Sequence, residues 1–457
     1  MATAAQALAR FAAGLDPEAI PAAVRDNAAL RVLDTIGCAL AASREELADP
    51  VLSLARRWGG GGPCVVIGSP LRATPPLAAL ANGCLAHGLD FDDTHSPSIT
   101  HASAVLVPVI LALGQSEGFD GRSALTALVA GYEAITRIGM AAPGRFHERG
   151  WHATAVCGAF AAAVTAGRCL GLDDPGITAA VGITASFASG VMEFLEDGSP
   201  VKRVHPGWAA HSGLLAAGLA KGGFTGPATG LEGRFGFYRA ALGEAPDLAP
   251  LLDSLGREWE TLRISFKPYP CCHYNHAYVD AAARLRRESG VSAASVADIE
   301  CIVPQGEVPI VCEPAAAKRR PRTAYEAQFS LPFAVAAALL DERVGVASFS
   351  QARLSDPDAL DLAARVRYTV DPQSPFPRTF PGRVRVRLSD GSVLEARQEH
   401  NRGGPEQPLS EAEVVEKYRD NALRALGPAR VADLEKAVLG LEGAADLGSL
   451  AALCARD

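Results

Sequence analysis

Along residues 5–262, apolar side chains recur every three or four positions among alanines, and several stretches are apolar on nearly all sides. A helix of that kind has no polar face to turn toward water, so it must be packed inside other helices. The spacing predicts helices over 21–42, 125–142, 153–170, 177–194 and 206–221, with two more over 75–86 and 103–113, the last interrupted by Pro108. Gly59 to Gly62 reads as a loop, and no Lys-Ser or Lys-Thr pair follows it as a phosphate loop would require. Near residue 264 the pattern changes. Short strand-type runs appear at 299–303, 366–370, 384–388 and 393–397, the last two flanking the hairpin signal Asp390-Gly391, and helical stretches fall at 275–288 and 327–340. Helical spacing returns at 410–426, 428–439 and 447–455, with Gly427-Pro428 marking a break. The expected fold is mainly α: a helical domain over 1–263, an α+β domain over 264–402, and closing helices over 403–457 that return to the first domain.

A chain of 457 residues has room for two or three cores, and its net charge of −8 without a basic tract argues against nucleic acid as a partner. The longest apolar run, 102–114, contains Pro108 and is too short to span a bilayer, and Arg10 interrupts the only early apolar stretch. The ten cysteines have no CxxC spacing, which fits small buried side chains in a reducing cytoplasm. Lys318-Arg319-Arg320 reads as a solvated turn.

Between the helices predicted at 75–86 and 103–113 lies Asp90-Phe91-Asp92-Asp93-Thr94-His95, followed by His101. Titratable groups between two buried helices cost stability unless they are paired, so the loop is the first candidate for chemistry. His101, His152 and His205 each stand where a predicted helix begins, beside unpaired N–H groups and the positive end of the helix dipole. Only six of the 43 basic residues are lysine, and Lys202 and Lys267 lie within a few residues of histidines. Together these groups would make a pocket for a small polyanion. Asp92 and Asp93 serve equally well as braces of the loop. His87, His147, His211 and His276 read as satisfied core residues, and Trp151 and Trp208 as packing or pocket wall. A metal is the competing use, through Asp92, Asp93, His95 and His101 or through Cys271, Cys272, His273 and His276, but neither set has a recognised ligand spacing; the reading assigns no metal.

The motifs resemble those of the MmgE/PrpD family. The resemblance lies in Asn82-Gly83 through His87, Leu89 through Thr94, Thr100-His101-Ala102-Ser103 and Gly150-Trp151-His152-Ala153-Thr154. It continues through Asp197-Gly198, Val201 to Ala210, Lys267-Pro268-Tyr269-Pro270-Cys271-Cys272 and Ala327 to Phe333. It implies a large helical domain with a smaller α+β lid, in a homodimer, acting on a small polycarboxylate without metal or organic cofactor. The family includes 2-methylcitrate dehydratase, cis-aconitate decarboxylase and iminodisuccinate epimerase. The resemblance implies Asp90, His101, His152, Lys202 and Lys267 as catalytic residues and Thr94 as substrate-binding; His205, at a helix start, and His273, just after Lys267, are expected as further substrate contacts. Animal decarboxylases of the family carry a lid tyrosine in the region corresponding to 308–314, which here runs Val308-Pro309-Ile310-Val311-Cys312-Glu313-Pro314 without one. The expected reaction is therefore dehydration, with decarboxylation or epimerisation as alternatives. A metal-dependent hydrolase and a non-catalytic carboxylate binder stand further off.

Overall fold

The computed structural model describes residues 2–376 and 378–456. Helix accounts for 57% of the chain and strand for 9%, so the class is mainly α with a smaller α/β part. One apolar core spans Ala4 to Ile264 and resumes from Val415 to Cys454, while a second holds residues from Tyr269 to Ala396. The first core is built from α1 (Ala4–Gly14), α2 (Ala22–Ala42), α3 (Pro75–Ala86), α4 (Ser103–Glu117), α5 (Gly121–Met140), α6 (Ala153–Cys169), α7 (Asp174–Thr184) and α8 (His205–Lys221). Helices α4, α5 and α6 are buried along almost their whole length, as their lack of a polar face requires. Pro108 is accommodated inside α4.

Small residues let the central helices touch. A Cβ on Gly83 of α3 would lie 2.6 Å from the Gly207 Cα of α8, so these backbones cross at a distance only glycine allows. That crossing holds the end of α3, where the acidic loop begins, against the start of α8. Residues 60–62 depart from the expected loop: β1 (Gly60–Val65) pairs antiparallel with β2 (Arg72–Ala73) across a register shift. A Cβ on Gly62 would fall 2.3 Å from the Ala73 carbonyl carbon, so the glycines that suggested a loop instead permit a bulged strand to approach its partner.

The second core contains α9 (His276–Ser289), α10 (Leu331–Leu340) and a four-stranded sheet of β3 (Val296–Val303), β4 (Val366–Val370), β5 (Gly382–Leu388) and β6 (Val393–Gln398). The sheet order is β4-β3-β5-β6, with β3 and β4 parallel and the other pairs antiparallel. Alternate residues Ile299, Cys301 and Val303 of β3 are buried, the period of two expected of a half-covered sheet. The β5–β6 hairpin turns at Asp390-Gly391, where Gly391 has φ +89°. Helices α11 (Glu411–Ala422) and α12 (Pro428–Leu439) pack on α2, returning the chain to the first core. Ser410 caps α11 through a reciprocal bond with Glu413.

Two expected helices break, both beside the site. The one predicted at 177–194 stops at Thr184, and the chain then runs irregularly to a short turn at Phe194–Asp197. Its backbone groups are used elsewhere: Gly190 O accepts from His152 N at 3.0 Å and Met192 N donates to Gly150 O at 2.8 Å. The stretch predicted at 327–340 splits at Phe329-Ser330, where Ser330 caps α10 by accepting from Phe333 N at 3.0 Å. Lys318 is not in a solvated turn. It lies in the helix Ala315–Arg319, and its amine donates to Ile310 O at 2.7 Å and Phe329 O at 2.8 Å.

Candidate active site

The acidic loop leaves α3 at His87, enters α4 at Ser103, and is buried almost throughout. Its three carboxylates have separate duties. Asp93 caps α4, accepting from Ser103 N at 3.0 Å and from Ser103 Oγ, and pairs with buried Arg31 at 3.3 Å. Asp92 holds His87, whose Nδ1 lies 2.9 Å from both carboxylate oxygens. Asp90 gathers the two lysines: Lys202 Nζ is 2.7 Å and Lys267 Nζ 3.3 Å from Oδ1, and Lys267 also donates to the Asp90 carbonyl at 2.9 Å. Asp90 Oδ2 is buried without a partner. Among the described residues, Asp90 (φ +50°) and Ile99 (φ +53°) are the non-glycine residues with positive φ, and both line one cleft. Backbone held in the left-handed region at such a place marks a functional loop.

Burial and charge set the protonation of these groups. Burial alone would raise the Asp90 pKa, yet Lys202 and Lys267 outweigh it and hold the carboxyl well below its usual range. Burial opposes the charge on Lys267, but Asp90 and then Asp92 keep its pKa above the ordinary lysine value. Burial raises Asp92 and Asp93, partly offset by His101 beside the first and Arg31 beside the second. The imidazoles go the other way. Burial, with His205 and then Lys202 beside it, drops His152 well below the usual range, and burial does the same to His101 against the pull of Asp92. Burial and Lys202 bring His205 to about 4.

His101 Nδ1 sits 2.7 Å from the Asp93 carbonyl, which can only accept, so that nitrogen carries the hydrogen. Thr94 Oγ1 shares it at 3.1 Å, and Nε2 is left as the lone-pair nitrogen. His152 stands at the N-cap of α6, its Nδ1 3.0 Å from His205 Nδ1. Thr94 is fixed by paired backbone bonds with Ser265.

Asp90, Thr94, His101, His152, Lys202, Lys267 and His273 all line this one cleft, whose cavity is about 70 Å³. His205 does not; it is the first residue of α8, not the residue before it, and stands behind His152 as its partner. Trp208 is outside the wall and partly exposed, while Trp151 packs half-buried against the first core. His147, expected in the core, also lines the cleft, stacked on His152 with ring centroids 5.9 Å apart. The larger wall comes from the first core, while Lys267, Cys272, His273, Tyr274, Ile310, Phe329 and Phe380 close the cleft from the polypeptide after residue 264. Gln328 ties the two cores together, donating from Nε2 to Leu89 O at 2.9 Å and accepting at its carbonyl from Cys272 N at 2.9 Å. Tyr274 is the aromatic hydroxyl that sequence reasoning missed. The first metal set expected from sequence does not assemble: His95 bonds Ser98 and Glu260 and Asp93 is spent on Arg31 and Ser103. The second does not converge on a common point either; His276 Nε2 bonds the Cys271 carbonyl at 3.2 Å.

The profile of the MmgE/PrpD N-terminal domain matches residues 6–248, and that of the MmgE/PrpD C-terminal domain matches residues 269–442. The chain belongs to the MmgE/PrpD family. Among similar members of this family, the cis-aconitate decarboxylase of Aspergillus terreus is 29% identical over 97% of this chain and 94% of its own length. A cis-aconitate decarboxylase-like protein, oryM, of Aspergillus oryzae is 30% identical over 98% of this chain and 96% of its own. The cis-aconitate decarboxylase of Homo sapiens is 29% identical over 92% and 88%. The two MmgE/PrpD matches meet between residues 248 and 269, close to where one core gives way to the other.

Proposed function

We propose that this chain is a cofactor-independent lyase that decarboxylates a small unsaturated tricarboxylic acid of the cis-aconitate type. The observation that carries the reading is the pair of buried lysines on Asp90, facing neutral imidazoles in one cleft. Relatives aligned along nearly the whole chain bear the decarboxylase name, which favours carbon dioxide over water as the leaving group and sets aside the dehydratase expected from sequence. The missing tyrosine at 308–314 weighed against decarboxylation; Tyr274, on the same side of the cleft as Ile310, offers a phenol there.

Each ammonium has three donors. Lys202 spends one on Asp90 and Lys267 spends two, so donors remain for substrate carboxylates. The C–C bond to the departing carboxylate breaks, carbon dioxide leaves, and the electron pair shifts through the double bond to the carbon beside a second carboxylate. The lysines stabilise the charge gathering on that carboxylate, an electrostatic contribution usually dominant in such sites. His101 is neutral in the empty cleft; a polyanion beside it favours the imidazolium, which then delivers the proton to carbon from Nε2. His152, oriented by His205, and Thr94, bonded to His101, hold the substrate in place.

The smaller core is read as a lid. The cavity of about 70 Å³ is small beside a six-carbon acid, and on this reading the wall bearing Tyr274, Ile310 and Phe329 moves to admit substrate. The homodimer is read from an apolar surface on α8 and the turn before it, where Val201, Val204, Trp208, Leu215 and Leu219 are exposed. Leu215→Glu with Leu219→Glu is expected to convert the dimer to monomer in analytical ultracentrifugation; an unchanged sedimentation coefficient would refute that face. The ten free cysteines fit the cytoplasmic reading.

The reaction is tested by NMR in heavy water with cis-aconitate, a hydroxy-tricarboxylate and an amino-dicarboxylate. Decarboxylation predicts loss of carbon dioxide from cis-aconitate and one deuterium in the new methylene group. Water loss from the hydroxy acid without carbon dioxide would restore the dehydratase, and solvent exchange alone the epimerase.

A further inference from the structure

Three imidazoles converge behind and beside the lysines. One ring nitrogen of each of His87, His101 and His152 lies within 4.8 Å of the other two, and all three residues are buried. Ring centroids are 4.7 Å apart for His87 and His101, 6.2 Å for His87 and His152, and 6.3 Å for His101 and His152. On each ring Nδ1 already has a partner: the Asp92 carboxylate for His87, the Asp93 carbonyl for His101 and His205 for His152. Nε2 is the nitrogen left over on all three, and on His87 it is buried with no partner at all.

We propose that His87, His101 and His152 form a binding site for a divalent transition metal such as Zn²⁺, and that the bound metal shuts the cleft to substrate. Imidazoles whose second nitrogen is held by a carboxylate, a carbonyl or another fixed group make a preorganised donor set, since the outer partner sets tautomer and ring direction. Three such rings and one open position are the pattern zinc accepts. Bonds of about 2.0–2.1 Å place tetrahedral nitrogens about 3.4 Å apart, so the rings need to draw in by roughly an ångström. The cationic charge of Lys202 and Lys267 nearby is met by Asp90 and Asp92. The fourth position opens into the cleft, because His101 and His152 line it. A metal there occupies the His101 nitrogen that the decarboxylase reading uses as proton carrier, so metal and substrate exclude each other. The exclusion rests on that reading; metal binding does not.

Metal-free full-length protein is titrated with Zn²⁺ against a chromophoric chelator. One Zn²⁺ per chain is expected, weakened at least 10-fold in His87→Gln and in His152→Gln, and about 10–100-fold in Asp92→Asn, which removes only the outer partner. Because a variant can lose structure, Co²⁺ is added to the unaltered protein as well. The expected result is the intense visible absorption of a four-coordinate nitrogen site without the near-ultraviolet band of a thiolate. No stoichiometric binding, a thiolate band, or equal affinity in folded His87→Gln and His152→Gln would overturn the proposal. With substrate, Zn²⁺ is expected to raise KM and leave kcat unchanged; a protein that turns over no acid yet binds the metal through these histidines would refute the decarboxylase and keep the site.

Discussion

Lys267→Met is expected to lower kcat by about 10²–10³-fold, the cost of removing one preorganised donor from the place where charge develops, while the protein stays folded. Lys267 is fully buried, and its ammonium reaches both the carboxylate and the backbone carbonyl of Asp90. Methionine fills the same channel with an apolar chain, and Asp90 retains Lys202 at 2.7 Å. The opposite substitution separates chemistry from support. Asp90→Asn removes the carboxylate that both ammoniums touch and leaves only Asp92 nearby, and breaking a buried pair in this way costs about 3–5 kcal/mol. Its activity and its denaturation midpoint should therefore fall together, whereas in Lys267→Met activity falls alone. Steady-state kinetics with chemical denaturation of both variants checks this. Near-normal turnover in Lys267→Met would remove that lysine from the site, and an undiminished midpoint in Asp90→Asn would show that the lysines do not depend on it.

The lysines were the most legible part of the site. In a chain that otherwise uses arginine, Lys202 and Lys267 meet at Asp90 as their place beside histidines suggested. Lys318, expected in a solvated turn, instead braces two cleft residues, and Lys417, which the sequence did not single out, pairs with buried Asp34 and donates to Phe91 O. A compact ammonium with three donors suits a site such as that of Lys318, which reaches two backbone carbonyls at once. Helix starts were legible as well, because His101 and His152 precede apolar runs whose first N–H groups need partners. What sequence concealed was set by distant contacts. Nothing in Ala185 to Gly190 stops a helix as early as Thr184; the strap exists because His152 and Gly150 take its backbone groups. Tyr274 reaches the cleft because Cys272 N is bonded to Gln328 O, a contact between segments over fifty residues apart. His87 looked like a core histidine because His101 stands at the far end of the same loop and His152 at the start of another helix, and only the fold brings the three rings together.

Acidification below about pH 6.5 is expected to unfold this protein steeply. His87, His95, His101, His147, His152, His205, His273 and His276 all have pKa values lowered in the folded state, with burial the largest cause at each. In the unfolded chain these imidazoles take up protons near pH 6.5, while the folded protein holds them neutral. The unfolded state therefore binds more protons as pH falls, and stability falls with it. Each such group costs about 1.4 kcal/mol per pH unit while its folded form stays neutral. All eight acting together would remove on the order of 10 kcal/mol per unit, comparable to the whole stability of a typical domain at about 5–15 kcal/mol. Asp34, Asp92, Asp93, Asp280 and Glu307 oppose this, since burial raises their pKa values and the folded state protonates them first. Their contribution grows toward the carboxylate range, so the steepest loss lies between about pH 6.5 and 5.5. Urea midpoints at pH 7.5, 6.5 and 5.5 should fall modestly over the first interval and about three times as far over the second. His147, whose folded pKa is about 4, isolates one share: His147→Gln should flatten the slope by about 1.4 kcal/mol per unit between pH 6.5 and 4. Equal midpoints at pH 6.5 and 5.5 would mean that the imidazoles are already protonated in the folded protein, and would remove the neutral His101 on which the metal site depends.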